Sequence, residues 1–221
     1  TNNGILTLGR SGLIDLTVDL DGRYLTSYSE TDTLQSVTDR GNTTTNNIGI
    51  GTTSIPEALS INGKISINDG GNSVFIGEEA GLNDDGSANR NVGVGHQALQ
   101  SNTTGRYNTS TGYQALLNNT TGFNNTAYGS YALQNNTTGF YNTANGYEAL
   151  QNNTGSNNTA NGFQALRNNT TGNNNTATGY TALLNNTTGD RNTANGYQAL
   201  RNNTTGDNNM ANGYQAGRYI S

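Results

Sequence analysis

Asn192-Thr193-Ala194-Asn195-Gly196-Tyr197-Gln198-Ala199-Leu200-Arg201-Asn202-Asn203-Thr204-Thr205-Gly206 is one copy of a unit that recurs through most of the chain. Aligning the copies on Gly95, Gly112, Gly129, Gly146, Gly162, Gly179, Gly196 and Gly213 gives intervals of 17, 17, 17, 16, 17, 17 and 17 residues. The short interval comes from one missing Thr, where Asn152-Asn153-Thr154-Gly155 replaces Asn-Asn-Thr-Thr-Gly. A more divergent copy sits at Gly77, 18 residues before Gly95. Helix–turn–helix repeats need more than about 30 residues, so this period excludes them. Asn, Thr and Gly are poor helix formers, and β-branched Thr favours strands. The unit therefore predicts an all-β fold, a β-roll or β-solenoid of 17-residue coils with two short strands and two glycine-marked corners per coil. Nine such coils stacked at roughly 4.8 Å would make a rod about 40 Å long.

Each slot of the unit has a physical task. Glycine permits positive φ at tight corners and close approach of adjacent rungs. Asn tolerates left-handed backbone and stacks into side-chain hydrogen-bond ladders. Small residues such as Ala144 and Ala194 suit a narrow interior. Leu99, Leu116, Leu133, Leu150, Leu166, Leu183 and Leu200 form one apolar stripe. Tyr113, Tyr147, Phe163, Tyr180, Tyr197 and Tyr214 form a second beside it. One Leu and one aromatic per coil is a meagre core, and apolar burial is the main favourable term in folding. The expectation is that one side of the stack is buried against identical chains, in a homotrimer with intertwined or side-by-side subunits.

Composition bounds the function. Hydrophobic residues make up 30% of the 221 and charged residues 11%, with 30 Gly, 1 Pro and no Cys. Such apolar poverty points towards disorder in an ordinary chain; the strict recurrence of the apolar residues argues for order here. Lack of Cys excludes a disulfide framework and thiolate metal sites. A net charge of -5 and a pI near 4.6 argue against nucleic-acid partners, which call for a basic stripe. No run of 18 or more apolar residues is present, so this segment is not expected to insert into a membrane.

Three regions follow. Residues 1–41 read as a strand-rich adaptor: Gly4–Leu8 and Leu13–Leu20 alternate apolar and polar, Asp21-Gly22 is a turn signal, and Thr31 or Asp32 caps a short helical turn before Asp39. Residues 42–71 hold the linker Asn42–Asn47 and a β connector with a hairpin around Asn62-Gly63. Residues 72–221 are the repetitive head or shaft.

Asn72-Ser73-Val74-Phe75-Ile76-Gly77 resembles the head repeat of trimeric autotransporter adhesins, a resemblance that implies left-handed parallel β-rolls in a trimer. It fades along the chain as Val74 and Ile76, then Val92 and Val94, give way to Thr109 and Thr111 and then to Thr143 and Asn145. Ile48-Gly49-Ile50-Gly51-Thr52-Thr53-Ser54, followed by Leu59–Ile65, is similar to the connector of phage tail fibres. Leu34–Asn46 is similar to a segment of marine phage structural proteins. These likenesses imply an extracellular fibre, on a virion tail or a cell surface, joined to an upstream fibre or tail component. In phage fibres of this type a C-terminal intramolecular chaperone domain is often cleaved after trimerisation.

Catalysis and cofactors are not expected. His96 stands at a slot usually held by Tyr and reads as a substituted ladder residue rather than a base. Glu78-Glu79 and Asp84-Asp85 are adjacent pairs, and adjacent strand residues point to opposite faces, so they read as solvated turns rather than an acid pair across a cleft. Asn83-Asp84-Asp85-Gly86 lacks the acidic spacing of an EF-hand loop. Asn-x-Thr sequons such as Asn102-Thr103-Thr104 arise automatically from an Asn/Thr repeat.

The two residues after each Thr-Thr-Gly vary most between copies: Arg106-Tyr107, Phe123-Asn124, Phe140-Tyr141, Asn173-Asn174, Asp190-Arg191 and Asp207-Asn208. Arg106, Tyr107, Phe123, Phe140, Tyr141, Asp190 and Arg191 are accordingly the receptor-binding candidates, for a host surface glycan or outer-membrane component. Sugars stack on ring faces and hydrogen-bond to amides. The simpler reading buries Phe123, Phe140 and Tyr141 at a subunit seam. The expected function is host attachment as part of a phage tail fibre. One alternative is the head of a bacterial trimeric surface adhesin. Another is an ice-binding solenoid, for which Thr109-Ser110-Thr111 and Thr176-Ala177-Thr178 supply the Thr-x-Thr pattern.

Overall fold

The computed structural model describes residues 72–219 and, for the backbone alone, residues 5–7 and 17–19. The chain divides into two units, Thr1–Asn62 and Gly63–Ser221. In the first, β1 (Ile5–Thr7) and β2 (Thr17–Asp19) pair antiparallel with Leu6 opposite Val18. Both lie inside the alternating segments expected as strands. The turn at Asp21-Gly22, the helical turn before Asp39, the linker from Asn42 and the hairpin at Asn62-Gly63 all fall outside the described residues.

The second unit is a parallel β-solenoid. The three residues before each corner glycine form a strand: β3 (Val74–Ile76), β4 (Val92–Val94), β5 (Thr109–Thr111), β6 (Thr126–Tyr128), β7 (Thr143–Asn145), β8 (Thr159–Asn161), β9 (Thr176–Thr178), β10 (Thr193–Asn195) and β11 (Met210–Asn212). They lie side by side in chain order as one nine-stranded sheet, all parallel and in register from coil to coil. The divergent copy at Gly77 is thus a true coil, with Val74 opposite Val92. No helix occurs among the described residues.

Each coil has one strand, not two. The Asn-Asn-Thr-Thr-Gly segment bonds to the next coil, yet it is bent. The N–H groups of Thr103, Thr104 and Gly105 and the Thr103 hydroxyl all converge on the single carbonyl of Thr120, at 3.0–3.2 Å. The bend is set by left-handed backbone: Tyr141, Glu148 and Leu150 take φ of 55°, 54° and 51°, and the pattern recurs in other coils. Gly146 takes φ 142°, and a Cβ placed there would collide with the carbonyl of Gly162 in the next coil. Both the conformation and the close approach demand glycine at this corner.

The interior also differs from the expected Leu-and-aromatic core. Its apolar part is the leucine column from Leu99 to Leu200, with one Ala before each Leu and, from β6 onward, one in the middle of each strand. Burying each of those leucines is worth about 1.5–3 kcal/mol. Most of the rest of the interior is asparagine. Asn119 donates to Asn102 Oδ1 at 2.9 Å and to the Gly122 carbonyl at 3.1 Å, and accepts from Asn136 at 3.0 Å. Asn125 donates to the Gly139 carbonyl at 2.8 Å, while its Oδ1 accepts the Asn142 N–H at 3.0 Å. These columns run through the stack fully buried. Their amides are satisfied by their own copies above and below, which removes the usual penalty for burying a polar group.

The coil of β3 is the first among the described residues. Its strand carries Phe75 where β6 to β11 have Ala, and Gly81 and Gly93 leave room for the ring: a Cβ on Gly93 would stand 2.8 Å from it. Asp84 stands where later coils have the ladder Asn, and its carboxylate accepts from Asn102 at 3.1 Å. Glu79 likewise ends the glutamine column, accepting from Gln97 at 2.6 Å and from Gln100 at 2.8 Å. A carboxylate suits this place because it only accepts, and the amides in both columns donate towards it. Glu79 is an exposed turn residue, as expected, that also caps its column; Asp84, expected as a solvated turn residue, is a half-buried cap.

Candidate functional site

With the interior committed, chemistry is left to the outward columns, and three run along the stack. The first follows each corner glycine. His96, Tyr113, Tyr147, Phe163, Tyr180, Tyr197 and Tyr214 lie here, about 40–46% exposed from Tyr113 to Tyr197 and 73% at Tyr214. From Tyr147 to Tyr214 successive rings stack face to face at 5.1–5.3 Å. His96 is stacked on Tyr113 at 5.2 Å and 6°, so it takes its place in the ladder. Ser130 interrupts the column, and the neighbouring Tyr131 fills the gap edge-on to Tyr113 and Tyr147. The aromatics therefore form a half-exposed outer spine, not a second core stripe. Tyr147 has its phenol pushed above the ordinary tyrosine value, first by its hydrogen bond with Glu148 and then by desolvation; Glu148 is itself paired with Arg167 at 2.9 Å.

The second column is the outer face of the sheet. Thr109, Thr126, Thr143, Thr159, Thr176 and Thr193 occupy one register position, opposite one another in successive strands. At the other outward position Thr111 and Thr178 are separated by Tyr128, Asn145 and Asn161. The paired Thr-x-Thr array is thus confined to two separate coils.

The third is the turn edge after each Thr-Thr-Gly, where the candidate receptor residues lie. It brings four of the seven, Arg106, Phe123, Phe140 and Tyr141, into one cluster. Phe123 and Phe140 are stacked at 5.0 Å and 8°, and Tyr141 stands at 77° and 84° to them, 5.5 and 5.7 Å away. The Arg106 guanidinium covers Phe123 at 5.4 Å. Tyr107 lies one coil before Asn124 and two before Tyr141 in the same slot. Arg90 was missed in the sequence reading; it packs 5.5 Å over the Tyr107 ring and donates to its hydroxyl at 2.6 Å. Counting one period of 17 back from Tyr107 would have found it.

Asp190 and Arg191 do not join this cluster. From Ser156 onward the edge becomes a relay of side-chain caps. Ser156 Oγ accepts the Phe140 N–H at 3.1 Å, Asn173 that of Ser156 at 2.8 Å, Asp190 that of Asn173 at 2.7 Å, and Asp207 that of Asp190 at 2.7 Å. Arg191 reaches Asn208 at 3.4 Å. The edge thus has a cationic, aromatic half and a polar, acidic half.

Other sequence features resolve locally. Asp85 is held below its ordinary value, chiefly by the Ser87 hydroxyl and then by the Ser87 N–H, and it accepts from Asn89 at 3.0 Å. Among the described residues no three His, Cys, Asp or Glu lie together as a metal site. The sequon asparagines Asn102, Asn119, Asn136, Asn169, Asn186 and Asn203 are ladder members; all are fully buried. Asn157 and Asn174, in overlapping sequons, are exposed. No helix among the described residues is long and apolar enough to cross a membrane. No protein-family model, no curated protein and no solved structure matches the chain.

Proposed function

We propose that this chain is a structural segment of an extracellular attachment fibre, part of a phage tail fibre, that works as a homotrimer and meets a surface glycan or outer-membrane component of its host. One observation carries the reading: the interior is a self-templating ladder with no slot free for chemistry, while the turn edge clusters exposed aromatic and cationic side chains. Binding residues usually collect on loops held by a rigid scaffold. Three copies of each edge would turn weak contacts into useful avidity. The adaptor and connector expected in residues 1–71 would join this segment to an upstream fibre or tail component.

The test replaces Tyr107, Phe123, Phe140 and Tyr141 by Ser together. Adsorption to host cells should fall while light scattering still gives the mass of a trimer. Unchanged adsorption would make the segment a spacer. A folded monomer at low concentration in the unmodified chain would remove the trimer from the proposal.

A further inference from the structure

We infer that the cationic half of the turn edge takes a carboxylate-bearing saccharide, with Tyr141 as the platform for a sugar ring and Arg106 as the carboxylate partner. The inference rests on the attachment reading and narrows its ligand. Tyr141 is perpendicular to both members of the Phe123–Phe140 stack and nearly equidistant from them. It therefore lies alongside that stack, parallel to its axis. It is 55% exposed. A plane so placed offers a sugar ring a flat apolar rest, as the rings of the other aromatic spine, which cover one another's faces, do not.

The charge on this edge points to an acid. Among the described residues the ion pairs are His96–Glu78 and Arg167–Glu148, so neither Arg90 nor Arg106 has a carboxylate partner there. Arg90 is committed to the Tyr107 hydroxyl. Arg106 makes no such bond; its guanidinium lies 5.4 Å from the Phe123 ring centre, and its donors have no partner among the described residues. A planar fork matches a planar carboxylate in bidentate fashion. The other half of the edge has Asp190 beside Arg191 and no aromatic platform, so the rings confine the ligand to the coils of Arg106 to Tyr141.

The backbone argues for a sugar over an acidic peptide. The Arg106, Phe123 and Phe140 carbonyls accept from Asn124, Tyr141 and Asn157 of the following coils at 3.0, 3.2 and 3.0 Å. These carbonyls are not free to pair with an added strand, which is how an extended peptide gains affinity. What remains is a ring face, a guanidinium and the half-buried Asn124 side chain between Tyr107 and Tyr141, a set fitted to C–H faces, a carboxylate and hydroxyls.

The experiment immobilises the full chain and measures binding of polysialic acid, a phosphate-bearing teichoic acid and neutral dextran of matched length, alongside adsorption to host cells. Polysialic acid should bind best. Arg106→Gln should weaken it about tenfold or more, the scale of a lost charge-assisted contact, and Tyr141→Ser should weaken it comparably. Tyr180→Ser, on the other aromatic spine, should leave it unchanged. Circular dichroism should show the β signal retained in all three variants. Stronger binding of dextran or teichoic acid, or indifference to Arg106→Gln, would overturn the acidic class while cell adsorption kept the attachment reading standing. Equal loss in Tyr180→Ser would move the site to the other spine. No adsorption to cells would overturn both the inference and the reading beneath it.

Discussion

Inside the coil, one residue type fills each slot for seven coils running: Leu99 to Leu200, and Asn102 to Asn203. On the turn edge no type lasts more than two, and Arg106, Phe123, Phe140, Ser156, Asn173, Asp190 and Asp207 follow one another. The difference lies in what each side chain must bond to. An interior Asn is bonded to its own copies, so a change in one coil strands partners in two others. An edge residue sits where a backbone contact already joins the coils, as when the Tyr141 N–H meets the Phe123 carbonyl at 3.2 Å. Aromatic and cationic side chains therefore stand there as well as the Ser, Asn and Asp that cap an N–H of the coil before. Sequence constancy within this chain is therefore a map of self-pairing, and sequence variation a map of freedom.

The strongest way to break this comparison is to strike the backbone of the ladder. Gly146→Val combines a β-branched residue at φ 142° with a collision against the Gly162 carbonyl, and should cost about 3 kcal/mol or more. His96→Ala removes one stacked ring at the end of a half-exposed spine and should cost about 1 kcal/mol or less. Thermal melts followed by circular dichroism decide it; equal midpoints would mean that the corner is no more constrained than the surface.

A narrower test stays within asparagine. Asn119→Ala leaves the buried Asn102 Oδ1 without its donor, while the Gly122 carbonyl keeps the Asn108 amide at 2.8 Å, at about 1–3 kcal/mol for the stranded oxygen. Asn118→Ala, one residue away, removes a link of the half-buried outer amide column, which donates to Asn135 at 2.8 Å, and should cost about 1 kcal/mol or less. Chemical denaturation of the two variants should separate them clearly. Similar losses would show that the buried column is worth no more than the wetter one.

Much of this was legible because each slot is written many times over. The period gave the coil, and Ala, Leu, Asn and Gly at fixed offsets gave the narrow interior, the amide ladder and the corner. Three things were hidden. The second strand expected in each coil is a bend, because residues such as Leu150 and Glu148 adopt left-handed backbone, a state that strand and helix propensities do not announce for such side chains. The aromatic stripe was assigned to the core on hydrophobicity, whereas Tyr147 to Tyr214 satisfy one another by stacking and stay half exposed. The carboxylate caps escaped notice because Asp84 lies 18 residues before Asn102 and Glu79 lies 18 before Gln97, one off the period that exposes the others. In the candidate site the variable turns share one edge, but variation alone could not say that Arg106 packs with Phe123, Phe140 and Tyr141 while Asp190 and Arg191 stand apart.

Three coils depart from the glutamine slot, at Tyr131, Glu148 and Thr181, and repairing the last gives the smallest and most discriminating effect. The glutamine column has Gln114, Gln164, Gln198 and Gln215 in one slot, with Gln114 reaching Gln97 at 2.6 Å and Gln215 reaching Gln198 at 3.2 Å. Thr181 occupies that slot between Gln164 and Gln198. It is buried, its hydroxyl has no hydrogen-bond partner, and its φ is 50°. A β-branched residue is strained in that conformation, and an orphaned buried hydroxyl adds its desolvation cost. Thr181→Gln should relieve both and rejoin the column, against the entropy lost in ordering a longer side chain. The net gain should be about 1 kcal/mol, a rise in melting midpoint of roughly 2–4 °C for a chain of this size. Thr181→Val separates the causes: it removes the orphaned hydroxyl but keeps the branch, and should recover less than Thr181→Gln. If Val gains as much as Gln, the benefit comes from the hydroxyl alone and the glutamine column contributes nothing to the stack. If Thr181→Gln melts lower than the parent, self-pairing is not what selects the residues of this slot, and the contrast between interior and edge fails at its own weakest coil.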